Sequence, residues 1–261
     1  MEEHTSVVIC TGNQVRHMKQ LLIMNNKGGC GKTTIATNLA GFYAASGTAT
    51  ALLDYDPQGS SNRWLEQRPE SAPPIHQVFA AKRLNGAVTR SFAHRIPPQT
   101  QRVVIDTPAS MKRLEMLEMI RKASTILVPM LPSAIDRHVT LEFLDELLTL
   151  CRQSGCSVPI GIIANRVRTN TRAYRQLIQN LEQINLPLVA SLRDTQNYVR
   201  SSEQGLAVAE LNCRSIETDR QQWWSLIQWL ETDRFETSPH PKHLRKESGS
   251  AVEHEYLPQP G

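Results

Sequence analysis

Apolar residues in this chain gather in short blocks: Leu21-Leu22-Ile23-Met24, residues 49–53 closing on Asp54, Val103-Val104-Ile105 closing on Asp106, and residues 125–128, 160–164 and 188–192. None shows the in–out alternation of a strand with one wet face. Each therefore reads as a strand buried on both sides, the habit of parallel sheets. Between the blocks, apolar positions recur at helical spacing, most clearly over 33–46, 135–151, 172–184 and 216–230, with Gly47 placed where the first helix would be capped. Strand–helix alternation with short links predicts an α/β fold, a doubly wound, mostly parallel sheet flanked by helices. No internal repeat is visible.

Both ends fall outside this pattern. Residues 1–17 precede Met18-Lys19-Gln20, which stands directly before the first block as a natural start would, and they are expected to be a disordered extension. From residue 237 to 261 there are four prolines, three histidines and mixed charges with few apolar residues, the composition of a disordered tail. The expected domain is thus 18–236. With 261 residues, 40% of them apolar and 21% charged, the chain can build one sizeable core. No apolar run reaches the length of a membrane span, and no secretory leader pattern opens the chain. The five cysteines, Cys10, Cys30, Cys151, Cys156 and Cys213, form no C-x-x-C or zinc spacing and read as reduced thiols of a cytoplasmic protein.

The chemistry concentrates after the first block, in Lys27-Gly28-Gly29-Cys30-Gly31-Lys32-Thr33-Thr34. A glycine-rich turn between a strand and a helix lets backbone N–H groups wrap phosphate oxygens, and the helix N-terminus adds partial positive charge. In such a loop Lys32 reaches the β- and γ-phosphates, the Thr33 hydroxyl ligates Mg2+, and Thr34 bonds a phosphate nearer the base. Asp106, closing an apolar strand in Val103-Val104-Ile105-Asp106-Thr107-Pro108, reads as the carboxylate that holds Mg2+ through water.

The extra lysine at position 27 makes a more specific resemblance. K-G-G-x-G-K-T-T resembles the deviant Walker A motif of the ParA/MinD superfamily of P-loop ATPases, and Asp54-Tyr55-Asp56-Pro57-Gln58-Gly59-Ser60 is similar to the ParA-type switch segment. That resemblance implies a P-loop NTPase (deviant Walker) architecture, with ATP and Mg2+ bound in a nucleotide-sandwich homodimer. Lys27 then crosses to the partner's phosphates, a cation supplied in trans like an arginine finger. Asp56 orients the attacking water, and Asp54 supports the Mg2+ shell. Asn165-Arg166-Val167 resembles the family's base-contacting segment, so Asn165 would bond adenine. Ala109 stands where relatives often carry a second proline.

Among the superfamily's branches, the switch segment and the compact size fit ParA. The cysteine placement of its iron–sulfur members is missing. The helix carrying Trp223, Trp224, Leu226, Ile227, Trp229 and Leu230 has no basic stripe, so membrane association is not expected. The formal charge of +4 is unevenly spread: seven arginines and two acids lie between Arg152 and Arg200, and no acid lies between Ser71 and Ile105. The resemblance then implies non-specific binding to nucleoid DNA as an ATP dimer, with release when a ParB-like protein or a cargo adaptor stimulates hydrolysis. Candidate phosphate contacts are Arg166, Arg168, Arg172, Arg175, Arg193 and Arg200. The competing expectation is an ATP-gated switch without DNA, either MinD-like on a membrane or part of secretion or polysaccharide machinery.

Overall fold

The computed structural model describes residues 18–79 and 96–232. All six apolar blocks form strands and a seventh joins them. They are β1 (Lys19–Ile23), β2 (Thr50–Asp54), β3 (His76–Phe79), β4 (Arg102–Asp106), β5 (Thr125–Met130), β6 (Ile160–Val167) and β7 (Leu188–Arg193). The helices are α1 (Lys32–Ala45), α2 (Ser60–Glu66), α3 (Arg113–Ile120), α4 (Ala134–Ser154), α5 (Arg172–Ile184), α6 (Asn197–Glu203) and α7 (Glu217–Glu231). The four helices anticipated from spacing are α1, α4, α5 and α7. The terminal segments, and the domain boundaries drawn at 17 and 236, lie outside the described residues, as do Cys10, Lys82, Arg83, Arg90 and Arg95.

Local chemistry explains where the long helices begin and end. Ser133 and Thr171 cap α4 and α5 by accepting the N–H groups of Asp136 and Tyr174. Gly155 and Asn185 close the same helices in left-handed conformation, and Gly47, at φ 75°, follows the end of α1 as its position suggested.

The sheet order is β3-β2-β4-β1-β5-β6-β7, and every pairing is parallel. Successive strand residues feed opposite layers. Leu22, Val103, Ile105, Ile126 and Ile162 join Met116, Phe143, Leu147 and Leu177 from α3, α4 and α5. Leu21, Ile23, Leu52, Val104 and Leu127 join Ile35 and Leu39 of α1, Trp64 of α2 and Trp223 and Leu226 of α7. Two covered faces are why the blocks lack alternation. Each fully buried Leu or Ile contributes about 1.5–3 kcal/mol.

The chain starts at the sheet's centre, winds outward to β3, returns as β4 between β2 and β1, and then builds the other half. Open α/β sheets bind ligands at the carboxyl edge beside such a reversal. The register sets that edge: Ile23 and Asp54 are both level with Asp106.

Candidate nucleotide-binding site

The phosphate loop is built by its neighbours before any ligand is considered. Asn25 is buried, and its amide donates to Pro129 O (2.6 Å) and Thr140 Oγ1 (3.0 Å), while its carbonyl oxygen accepts the Lys27 N–H at 2.9 Å. The turn beyond it uses left-handed Gly29 (φ 73°) and Gly31 (φ 99°), the latter standing at the N-terminus of α1. A Cβ on Gly31 would meet Asn165 Nδ2 at 2.1 Å, so only glycine fits there. A Cβ on Gly28 or Gly29 would meet nothing within 4 Å, which leaves open space on the loop's outer face. Lys32 is buried, and its ammonium donates to Lys27 O at 3.4 Å inside the loop. Cys30 is wholly buried, and burial pushes its thiol above the ordinary range, as expected of an inert packing residue.

Two fully buried carboxylates face the loop from β2 and β4. Asp54 spends both oxygens on the chain that follows it: Oδ1 accepts the Asp56 N–H and Oδ2 the Asn62 N–H, each at 3.0 Å. It therefore shapes the switch segment. Asp56 is half-buried and caps the next turn, its Oδ1 accepting Gln58 N–H at 2.9 Å. Asp106 differs. Ser61 donates to its Oδ2 at 2.5 Å, while Oδ1 has no hydrogen-bond partner among the described residues. Burial pushes the Asp106 carboxyl up to about 7, against the opposing pull of the Ser61 and Thr33 hydroxyls and the Lys32 charge.

Lys27 extends from the loop to Asp136 at the start of α4, with Nζ 3.1 Å from Oδ1. The hydrogen bond from Ser133 and the Lys27 charge hold the Asp136 carboxyl below the usual range. Asn165 lies inside β6 rather than after it. Its amide donates to Cys30 O at 2.8 Å and its carbonyl accepts the Arg166 N–H at 3.0 Å, so it braces the phosphate loop and keeps one N–H to spare. Arg166, at φ 52° beside a register shift in β6, turns outward and is exposed.

The arginine stretch falls into two groups. Arg193 is committed to the buried Asp219, with Nε at 2.6 Å from Oδ1 and Nη2 at 3.1 Å from Oδ2, which takes it out of the set of free surface cations. Arg102 is likewise paired with Glu231. Arg166, Arg168, Arg172, Arg175 and Arg200 are exposed and make no ion pair among the described residues.

A small cavity of about 100 Å³ opens beside Thr33 and Thr34, walled by Asn38, Ser60, Trp64 and Tyr198. A larger groove of about 390 Å³ between α3 and α4 contains none of the loop or carboxylate residues, and its size alone does not make it the site. No cluster of three His, Cys, Asp or Glu side chains exists among the described residues. A hard cation here would therefore share its shell with phosphate oxygens, as Mg2+ does. The unpartnered Asp106 oxygen, the Thr33 hydroxyl and the open glycine turn fit a nucleotide carrying such an ion.

Ser61, Asn25 and Asp136 were not singled out by motif. Asn25 stands two residues before Lys27, and Asp136 sits in an S-x-x-D capping pattern after Ser133, so both left a local trace. No helix among the described residues is long and apolar enough to cross a membrane. The four described cysteines are free thiols.

Comparison with known proteins agrees with the geometry. Residues 21–208 match the model of the CobQ/CobB/MinD/ParA nucleotide binding domain. The chain is 26% identical over 195 residues to "Maintenance of carboxysome distribution protein A" of Halothiobacillus neapolitanus, covering 74% of this chain and 88% of that protein. Its fold superposes on apo McdA from Cyanothece with a TM-score of 0.66 at 17% identity, over 82% of this chain and 100% of the other. A candidate plasmid partition protein from Borrelia burgdorferi B31, solved with AMPPNP, superposes at 0.65 with 16% identity, over 82% and 100% of the two chains.

Proposed function

Because the chain belongs to the CobQ/CobB/MinD/ParA nucleotide-binding family, we propose that it is a ParA-type positioning ATPase. It binds ATP with Mg2+, pairs with a second copy, holds DNA without sequence preference in that state, and lets go when a partner stimulates hydrolysis. The observation that carries this reading is the shared level of the phosphate loop, Asp54 and Asp106, with one Asp106 oxygen left unsatisfied in a buried site.

Bound Mg2+ supplies charge neutralisation on the β- and γ-phosphates. The chain does the rest. Backbone N–H groups of residues 28–32 and the α1 terminus donate to phosphate oxygens, Lys32 adds a fixed cation, and Thr33 with Asp106 holds the metal's shell. Asp54 supports that shell indirectly, by fixing the loop that presents Asp56, and Asp56 orients the attacking water. Lys27 exchanges Asp136 for the partner's phosphates, so dimerisation costs one partly exposed ion pair per protomer and gains a charge-assisted contact in a desolvated interface. Asn165 keeps one N–H for adenine, with Arg166 beside it.

Arg166, Arg168, Arg172, Arg175 and Arg200 remain as the DNA-facing cations, doubled in a dimer. The cargo is a replicon or a protein body, the latter suggested by the carboxysome-distribution relative, and its adaptor is ParB-like in role. The workplace is the cytoplasm, on the nucleoid.

Turnover measurements test the chemistry. Lys32→Ala should abolish ATP binding, whereas Asp56→Ala should bind ATP and lose at least about 100-fold in hydrolysis, the lower range for a positioned general base. Normal turnover by Asp56→Ala would remove that residue from the mechanism. Absence of ATP binding by the unaltered protein would remove the ATPase reading altogether.

A further inference from the structure

The D-P-Q-G motif stops short of the residue that touches Asp106. Ser61, the second residue of α2, is fully buried, and its hydroxyl donates to Asp106 Oδ2 at 2.5 Å. Asp106 Oδ1 is the oxygen without a partner among the described residues. The carboxylate is thereby divided, one oxygen held by α2 and the other left facing the site.

We propose that Ser61 is a positioning residue of the metal site, acting through Asp106 to aim its free oxygen and to tie the switch helix to metal occupancy. This rests on the reading of the site as one for Mg2+-nucleotide. A carboxylate's terminal torsion is broad and nearly two-fold, so β4 alone does not fix the plane of the Asp106 carboxylate. A donor on Oδ2 fixes that plane, and with it the lone pairs of Oδ1.

The donor is itself rigidly held. The next residue's N–H is bonded to Asp54 Oδ2 at 3.0 Å, and Gly59 enters α2 in left-handed conformation. At the far end of α2, Trp64 Nε1 donates to Leu206 O at 3.4 Å. Just beyond it, Arg68 forms a nearly buried bidentate pair with Glu210, which in turn accepts the Ala207 N–H at 2.7 Å. Asn38 of α1 completes the strap by accepting the Val208 N–H at 2.7 Å. Through Ser61, Asp106 is therefore joined to a block made of α1, α2 and residues 205–210. A change at the metal reaches α1 through Thr33, and it reaches α2 with residues 205–210 through the Ser61 hydroxyl.

The test uses Mn2+ as the probe, with protein saturated by ADP and free Mn2+ read by electron paramagnetic resonance. Unaltered protein, Ser61→Ala, Asp106→Asn and the double variant are compared, and ADP binding in EDTA reports that each is folded. Loss of an outer-shell partner typically costs about 10–100-fold in metal affinity, and Ser61→Ala should weaken Mn2+ binding by about ten-fold while leaving metal-free ADP binding unchanged. Ser61→Thr, which keeps the hydroxyl, should retain Mn2+ affinity. The double variant should bind no more weakly than Asp106→Asn alone, because Ser61 acts through that carboxylate. Mn2+ affinity in Ser61→Ala equal to that of the unaltered protein would overturn the proposal. So would a loss that persists in full on the Asp106→Asn background, which would signify packing alone. If the unaltered protein takes up no Mn2+ with ADP, the nucleotide–metal reading fails first and this inference fails with it.

Discussion

Asp106 is where single-residue physics is sharpest. Its folded-state carboxyl is pushed up to about 7 by burial, above the value of an unfolded chain. The sign follows from linkage: the proton is held more tightly in the folded protein, so the associated stability is fully present below about pH 4 and is lost as pH rises through about 7. Metal-free protein should therefore lose stability across that window relative to Asp106→Asn, on the order of a few kcal/mol, seen as a falling melting temperature. Thermal melts in EDTA at several pH values check this, and parallel curves for the two proteins would contradict it. The loop residues and Asp106 were legible in the sequence because each closes or follows an apolar block. The position of Asn165 was not, because a polar residue after Ile162-Ile163-Ala164 reads as a strand end, whereas the structure buries it in β6 against the loop. Ser61 left no sequence trace at all. Its meaning depends on a hydrogen bond made across 45 positions.

At the scale of elements, the six buried strands and four long helices were readable from apolar spacing, and the shorter pieces were not. The seven residues of α2 and the seven of α6 carry too few periodic positions, and β3 is a four-residue strand at the sheet's edge. Packing also sorts the arginines in a way that composition cannot. Arg193→Ala should destabilise the fold by about 1–3 kcal/mol, because it strips the half-exposed cation from buried Asp219 and leaves it the Asn197 amide, whereas Arg172→Ala on exposed α5 should change stability by less than about 0.5 kcal/mol. Urea melts of the two variants distinguish them, and equal midpoints would contradict the sorting. The junction of the loop with α4 makes a second prediction. Releasing Lys27 by Asp136→Asn, which leaves Ser133 capping α4, should let ATP drive dimerisation at lower protein concentration, by up to about thirty-fold, because a dimer releases two such pairs, each worth at most about 1 kcal/mol. Light scattering of the variant in the Asp56→Ala background reads this. An unchanged or weaker dimer would mean that Asp136 does not hold Lys27 back.

For the whole molecule, the proposed cycle makes ATP the control of DNA residence. Exposed Arg166 lies on β6, Arg168 in the link that follows it, Arg172 and Arg175 on α5 and Arg200 on α6, and a dimer presents two sets. Cations that neutralise DNA phosphates release counterions, so each phosphate neutralised should add about −0.9 to the slope of log affinity against log salt. The decisive measurement is a titration of random-sequence duplex with the Asp56→Ala protein, comparing ATP with ADP at several salt concentrations. The expected result is tight, steeply salt-dependent binding with ATP and binding weaker by at least about ten-fold with ADP. Arg172→Ala should make the ATP-state slope shallower by about one for each phosphate that the dimer no longer neutralises. Equal binding in both nucleotide states, or none at low salt, would contradict DNA residence under ATP control and leave an ATP-gated protein switch without DNA.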